Sequence, residues 1–492
     1  MRLGAGMRKL GTMLALTPHG LRKSMVGHAI SGSSRLRVGP IGRECVGKFR
    51  RNRSVVSILT IASMMAGPAL ADPISLDQAL SRGLERSPEV GQAQARIGAA
   101  EAARDQAKRS WFPTIELDGA VGLRHLENDA RVNLGLSSLD EKPLYATIGV
   151  SQPVFDFGRR SNETKARNAR LNSAGWEEQA AGEEIAYGIA RAYLQVLVQQ
   201  RIVQSSQDNL GFHIALAADV SEGVDKGAMS ISERQQAQER VQGAKISLAQ
   251  ANADLATATS ELTLLVGAAN IEVSTPPDAS AKLPGTLDLA LTEAAASDPR
   301  LLAMGNRLDE AKWLAKRARS ELLPLFGLQG KASGGKDFEG YRGTTRDYSL
   351  LFSMRWNLFD GGVTAARIRE AERHTDEAGF ALAQTRRDSE LQVRKAWIGL
   401  ENWRSRLENQ QTRFEAANAV RDTYRAQFGI GRRSLLDLLD AQGAVYNASV
   451  EAEAARAGTL LAEYGLLAQL GRLRAFFGIA KTTVDPKLYG PR

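Results

Sequence analysis

Ser75-Leu76-Asp77-Gln78-Ala79-Leu80 reads against Thr286-Leu287-Asp288-Leu289-Ala290-Leu291, and the match does not stop there. Pro88 answers Pro299 and Pro113 answers Pro324, all at an offset of 211. Further along, Phe155-Asp156 answers Phe359-Asp360, Ala192-Tyr193 answers Ala396-Trp397, and Ala237-Gln238 answers Ala441-Gln442, now at a constant offset of 204. A chance alignment does not hold one register over so long a stretch, so the chain carries two copies of one unit. The seven residues by which the offsets differ fall between Pro113 and Tyr145, which predicts a loop of unequal length there. The segment from Val273 to Gly285 is rich in proline and small polar residues and reads as the linker between the copies.

Within each copy the pattern is helix, strand, loop, strand, long helix, turn, helix. The first helix is expected from about Ser75 to Ser110, ending at Trp111-Phe112-Pro113. Ile115, Leu117, Val121 and Leu123 then alternate with polar residues, and Leu144, Ala146, Ile148 and Val150 share one face of the next strand. Copy two repeats this with Leu350, Phe352, Met354, Trp356 and Leu358. Strands are thus expected over 114–124, 144–155, 325–334 and 348–359. Each is about ten residues, enough to cross a bilayer when tilted. Four strands cannot close a barrel of useful bore, and an open edge in lipid would leave backbone N–H and C=O groups unpaired. If they span a membrane, several chains must share one barrel; alternation alone fits an amphipathic sheet in a soluble domain equally well.

Glycine follows each second strand, in Phe155-Asp156-Phe157-Gly158 and Phe359-Asp360-Gly361-Gly362, where a sharp strand-to-helix turn needs it. Ile185, Ile189, Ala192, Val196, Val203, Leu210, Ala217 and Val220 then keep coiled-coil spacing, with Gln199, Ser206 and His213 in the same seam. A helix from Arg159 to Glu222 would be roughly 100 Å long. Each long helix ends in a glycine-punctuated turn, Gly223 to Ser230 and Gly429 to Ser434. Ser230 and Ser434 have the pattern of N-caps, with Glu233 and Asp437 three residues on.

The 492 residues carry a formal charge of +9, but its distribution excludes a nucleic-acid role for the body. Residues 1–71 hold 12 Lys and Arg against one acid, Glu44, which leaves 52 basic and 54 acidic residues for the remainder. That leader has Arg50, Arg51 and Arg53, an apolar stretch from Val55 to Ala66, and Ala69-Leu70-Ala71, the form of a secretion signal with cleavage expected between Ala71 and Asp72. The one cysteine, Cys45, lies in the leader, so the mature chain is expected to have no disulfide, no thiol nucleophile and no lipid-attachment cysteine. After Asp72 no apolar run is long enough for a transmembrane helix. His125, His213 and His374 stand far apart, and no hydrolase, phosphate-loop or zinc motif is present, so neither an enzyme nor a cofactor or metal site is expected.

This order of parts resembles the TolC-like outer-membrane factors over essentially the whole mature chain. The resemblance is most specific at Phe428-Gly429-Ile430-Gly431-Arg432-Arg433-Ser434-Leu435-Leu436-Asp437-Leu438-Leu439-Asp440-Ala441 and Tyr446-Asn447-Ala448, and at the two strand-to-helix stretches. It implies a mostly α fold with a membrane β-barrel: a homotrimer, 12-stranded in the outer membrane, on a long helical tunnel in the periplasm. A periplasmic adaptor and an inner-membrane transporter are the implied partners, with outer-membrane lipid around the barrel. Carried over by position, Asp437 and Asp440 form acidic rings at the periplasmic mouth. Arg433 ties the closed mouth to a neighbouring helix, with Glu233 as its expected partner. Gly227, Gly431 and Leu435 belong to adaptor-docking turns, and Gly158, Gly361 and Gly362 to the strand-to-helix turns.

The domain plan is then a leader over 1–71, repeat one over 72–272, a linker over 273–285, repeat two over 286–474 and a tail over 475–492. The expected function is a passive export duct for type I protein secretion, the branch that the Gly431–Gln442 run most resembles. A small-molecule or drug efflux duct of the same family is the alternative. A secreted coiled-coil or adhesin-like structural protein is the alternative of another class.

Overall fold

A computed structural model describes residues 74–479 apart from 128, 130–132, 134–138, 269, 270, 340 and 341. The expected signal cleavage at Ala71 and Asp72 lies outside the described residues, as does most of the expected tail. The chain is mostly helical, with one four-stranded sheet.

Each repeat opens on two helices, where one was expected. α1 (Leu76–Arg86) and α2 (Pro88–Arg109) meet at Pro88, and their counterparts α5 (Leu287–Ser297) and α6 (Pro299–Arg319) meet at Pro299. Proline has no N–H to continue the ladder and pushes its predecessor out of the helical region, but it suits the first turn of a new helix. Ser87 and Asp298 cap those new helices, accepting from the backbone N–H of Val90 and Arg300.

The strands are β1 (Thr114–Val121), β4 (Leu144–Phe155), β5 (Leu325–Lys336) and β6 (Thr344–Arg355), antiparallel in that spatial order. β2 (Arg124–Leu126) and β3 (Leu139–Glu141) form a separate ribbon in the longer loop of copy one. Four expected strand bounds shift: β5 runs on to Lys336 and β6 begins at Thr344, its partner across the ladder, rather than at 334 and 348, and the other two move for reasons in the chain. The first strand stops at Val121 rather than residue 124, because Gly122 donates to Pro143 O and the chain leaves the sheet for the ribbon. The last strand ends at Arg355 rather than residue 359, because its partner begins at Leu325, directly after Pro324. Beyond that point the ladder has no partner strand, and the Trp356 indole donates to Leu322 O instead.

The register sorts the two faces. Ile115, Val150, Gly330 and Leu350 form one row, and Leu117, Ile148, Ala332 and Tyr348 the row two residues on. The opposite face carries Glu116, Gly149, Lys331 and Ser349, then Asp118, Thr147, Ser333 and Asp347, with Lys331 Nζ 3.7 Å from Asp347 Oδ2. The apolar face has no cover: Ile115, Leu117 and Leu350 are each more than 70% exposed. β1 and β6 are the two edges of the sheet.

Below the sheet run α3 (Arg159–Asp225) and α7 (Val363–Gly429), each of 67 residues, or about 100 Å at 1.5 Å per residue. α4 (Ile231–Val266) and α8 (Leu435–Gln469) return antiparallel to them as hairpins, and α3 and α8 pack together between the hairpins. The largest core sits at mid-length, where Leu76, Leu80 and Leu84 of α1 meet Ile189, Tyr193 and Leu194 of α3, Leu262 of α4, and Tyr464 and Leu467 of α8. The Tyr193 hydroxyl donates to the carbonyls of Ile74 and Ser274, and that of Tyr464 to Pro277 O, so the linker is stitched to the helices by buried phenols.

A short helix, α9 (Leu473–Phe476), docks there on one carboxylate. Glu183 of α3 is almost fully buried and accepts from the backbone N–H of Leu473 (2.9 Å) and Arg474 (3.3 Å). Burial outweighs those hydrogen bonds and pushes its carboxyl up to about 7. Between about 4.5 and 7 the docked state therefore holds more protons than the undocked one, and its stability falls as pH rises through that window, levelling off above it. After correction for intrinsic rates, hydrogen exchange at Leu473 and Arg474 should speed up between pH 5 and 7.5. In E183Q this dependence should vanish; an unchanged pH profile in that variant would refute the assignment.

Candidate functional site: the hairpin tips

The two hairpin turns lie at one end of the helices and share a core. Leu216 and Val220 of α3, Ala237 of α4, and Leu435, Leu438 and Leu439 of α8 are buried together, with Met229, Tyr424 and Phe428 packed against them. Both turns are built alike. Gly227 (φ +74) and Gly431 (φ +70) take the left-handed conformation that ends each long helix, and Ser230 and Ser434 cap the returning ones. Ser230 Oγ accepts from Glu233 N while the Glu233 carboxylate accepts from Ser230 N at 2.7 Å, a complete capping box. Ser434 Oγ accepts from Asp437 N at 3.1 Å and donates to the Asp437 carboxylate at 2.8 Å.

The side chains around these turns differ between copies. Arg433 lays its guanidinium 3.9 Å from the centre of the Tyr424 ring and 3.7 Å from Asp437 Oδ2. At the equivalent place Met229 folds against Gly223. Asp440 is largely exposed and lies 3.4 Å from Arg240 of α4, a link between the two hairpins. Within the chain, Arg433 and Glu233 are not brought together: among the described residues no ion pair joins them, and Glu233 is occupied by its cap. Leu435 is buried in the tip core. From the sequence, Tyr424 stands out only as a seam position of the long helix, and Arg240 not at all. Arg240 had a signal available, since its counterpart in copy two is Ala444 and such divergence marks a position that one copy uses differently.

At the other end of the long helices, each strand-to-helix turn is organised by an aspartate. Asp156 is buried and accepts from Gly158 N, Arg160 N and Arg160 Nε (2.6 Å), while Arg160 stacks on Trp111 at 4.2 Å. Asp360 accepts from Gly362 N, Thr364 N and Thr364 Oγ1. Gly158, Gly361 and Gly362 all have positive φ, and so does Phe157, which takes at φ +50 the conformation that copy two gives to Gly361.

Two such hairpin repeats, with an amphipathic sheet at one end and capped turns at the other, match a family of outer-membrane channels, not of enzymes. The family model described as "Outer membrane efflux protein" matches residues 79–268 and 290–472, and the chain belongs to that family, the TolC-like outer-membrane factors. It is 24% identical over 332 residues to the outer membrane efflux protein BepC of Brucella suis, which covers 67% of this chain and 73% of BepC. It is 24% identical over 349 residues to the alkaline protease secretion protein AprF of Pseudomonas aeruginosa, covering 68% and 69%. Its fold matches the crystal structure of the Campylobacter jejuni CmeC outer membrane channel with a TM-score of 0.70, at 14% identity, over 84% of this chain and 90% of that one. The protein is thus an outer-membrane channel component whose helices extend into the periplasm, and the secreted coiled-coil alternative gives way to it.

Because the two caps are alike, S230A and S434A should cost similar amounts, about 1 kcal/mol each. The expected readout is roughly fivefold faster hydrogen exchange in the first turns of α4 and α8, with the mid-length core unaffected. Equal exchange in S434A and the wild type would remove the cap from the account of the tip.

Proposed function

We propose that three copies of this chain close a 12-stranded barrel in the outer membrane, on a continuous helical tunnel through the periplasm. The observation that carries this is the sheet itself. It has two unpaired edges and a bare apolar face, a combination that lipid forbids to an open sheet and allows to a closed one. The helices support the same closure. α3 buries residues along its whole length, whereas α7 buries only Ser389, Val393 and Leu400 and leaves Phe380 76% and Ile398 62% exposed. A face of that kind on a long helix calls for a neighbour, and the next protomer supplies one.

In this trimer the tips meet around the axis. Asp437 and Asp440 from three chains form acidic rings that favour cations and repel one another. Exposed pairs such as Arg433 with Asp437 and Arg240 with Asp440 offset that repulsion weakly, by about 0–1 kcal/mol each. A mouth held by such pairs opens when an adaptor with greater affinity for the open form engages the turns at Gly227, Gly431 and Leu435. Glu233 serves Arg433 across protomers if its cap is released. The inner-membrane transporter supplies the energy, and the duct needs no cofactor.

For cargo we favour type I protein secretion, on the strength of the Gly431–Gln442 run and of the similarity to AprF, named for alkaline protease secretion. Small-molecule efflux is supported by the likeness to BepC, named as an efflux protein. Loss of the gene should deplete the medium of exported protein while leaving drug susceptibility within twofold; the reverse pattern selects efflux. The channel itself is tested by fractionation and planar bilayers. A detergent-resistant trimer is expected in the outer-membrane fraction. D437N/D440N should move the reversal potential in a salt gradient toward zero, and R433A should raise resting conductance. A monomer recovered from the soluble periplasm would sink the barrel, and an unchanged reversal potential would sink the acidic rings.

A further inference from the structure

Between the mid-length core and the tip core, α3 and α8 are joined by polar rungs. Ser205 Oγ meets Ser449 Oγ at 2.8 Å, Ser206 Oγ meets the Tyr446 hydroxyl at 3.0 Å, and Gln442 Nε2 donates to Asn209 Oδ1 at 2.9 Å. The rungs climb one helix as they descend the other, as antiparallel helices require. One turn beyond Asn209 on α3 is His213, and one turn beyond Gln442 on α8 are Leu438 and Leu439. His213 therefore sits where the ladder runs into the apolar tip core. It is 5% exposed, and its Nδ1 and the Oε1 of Gln442 are both buried without a partner among the described residues.

We propose that His213 is an acid-sensitive catch on the seam between the two hairpins: neutral, it lets α3 and α8 close; protonated, it drives them apart. The charged groups around it favour the neutral ring. Arg240 of α4 faces it with like charge, opposed by Glu239 of the same helix, and Arg240 is itself engaged with Asp440 of α8. From α7, Arg425 stacks on the neighbouring Phe212 ring at 5.5 Å and adds no acid. Burial and Arg240 together hold the imidazole below its ordinary range, so the closed seam binds fewer protons than the parted one and loses stability progressively as pH falls from about 6.5 toward that lowered value. A proton on the ring would bury a cation beside the Arg240 guanidinium. Water entering a parted seam relieves this. The consequence for the channel, a tip that loosens in acid, rests on the gate proposed above; the parting of the seam does not.

The test uses the full chain reconstituted in lipid, with Cys45 replaced by Ser and spin labels on cysteines introduced at the exposed positions Gln207 of α3 and Ala444 of α8. Comparison of pH 7.5 with pH 5.5 stays above the ordinary carboxylate range of about 4; Glu183 titrates inside this window, but equally in the wild type and in both His213 variants, so it cancels between them. The expected result is a longer-distance population at pH 5.5 in the wild type, absent from both H213L and H213Q. No change in the wild type, a shortening, or the same lengthening in H213L would overturn the catch. Bilayer recordings over the same pH range separate it from the gate. A wild-type seam that lengthens in a His213-dependent way, without a rise in open probability, leaves the catch standing and removes the tip as gate.

Discussion

A single carboxylate at each strand-to-helix junction sets the direction of everything below the sheet. The chain must turn from an extended strand into a helix of about 100 Å within a few residues, three in copy one and seven in copy two, and small angular errors there become large displacements at the far end. Asp156 and Asp360 hold that angle by accepting the first free N–H groups of the helix, which have no partner within it. In copy one the arrangement is locked further by Arg160 between Asp156 and Trp111, in a buried setting where the guanidinium also donates to Ser110 O and Val154 O. Copy two replaces that pair with a hydroxyl, Thr364, and spreads its turn over two glycines.

The same division of labour recurs down the molecule. Copy one is the buried partner: α3 contacts α2, α4, α6 and α8, and its seam holds the polar rungs, His213 and Glu183. In copy two it is the long helix that is exposed: α7 leaves large apolar side chains in the open while α8 is buried, and the tip carries Arg433 where copy one carries Met229. Duplication supplied two similar units, and the requirement that one face its own chain while the other presents surface outward has pulled their side chains apart. The polar rungs fit this picture. Serine, asparagine and glutamine pairs hold two hairpins in register with less free energy than a leucine seam would, which fits the proposal that this contact yields.

Much of this was legible in the sequence, because the signals were periodic and repeated. Strand alternation, coiled-coil spacing and glycine turns each appeared twice, and a signal that recurs in register is far stronger than either instance alone. The caps were legible for the same reason, since Ser230 with Glu233 and Ser434 with Asp437 are local interactions spanning three residues. What escaped was of two kinds. The breaks at Pro88 and Pro299 lay inside a helical pattern that continues on both sides. The pairings of Arg240 with Asp440, Arg433 with Tyr424 and Glu183 with the α9 amides join residues on different elements.

The sequence by itself determined the repeat and the succession of sheet strands, long helices and turns in a mostly helical fold, because these depend on local spacing and on which residue types a strand, a seam or a turn tolerates, while its motifs carried the resemblance to the family. Only the tertiary structure decided which edges of the sheet stay open, which long helix is buried, and which charges meet at the tips. Those outcomes depend on how elements more than a hundred residues apart are brought together, and on whether a strand end such as Arg355 finds a partner across the ladder. No periodicity along a chain encodes the distance between two points on different helices; that distance is set when the helices pack.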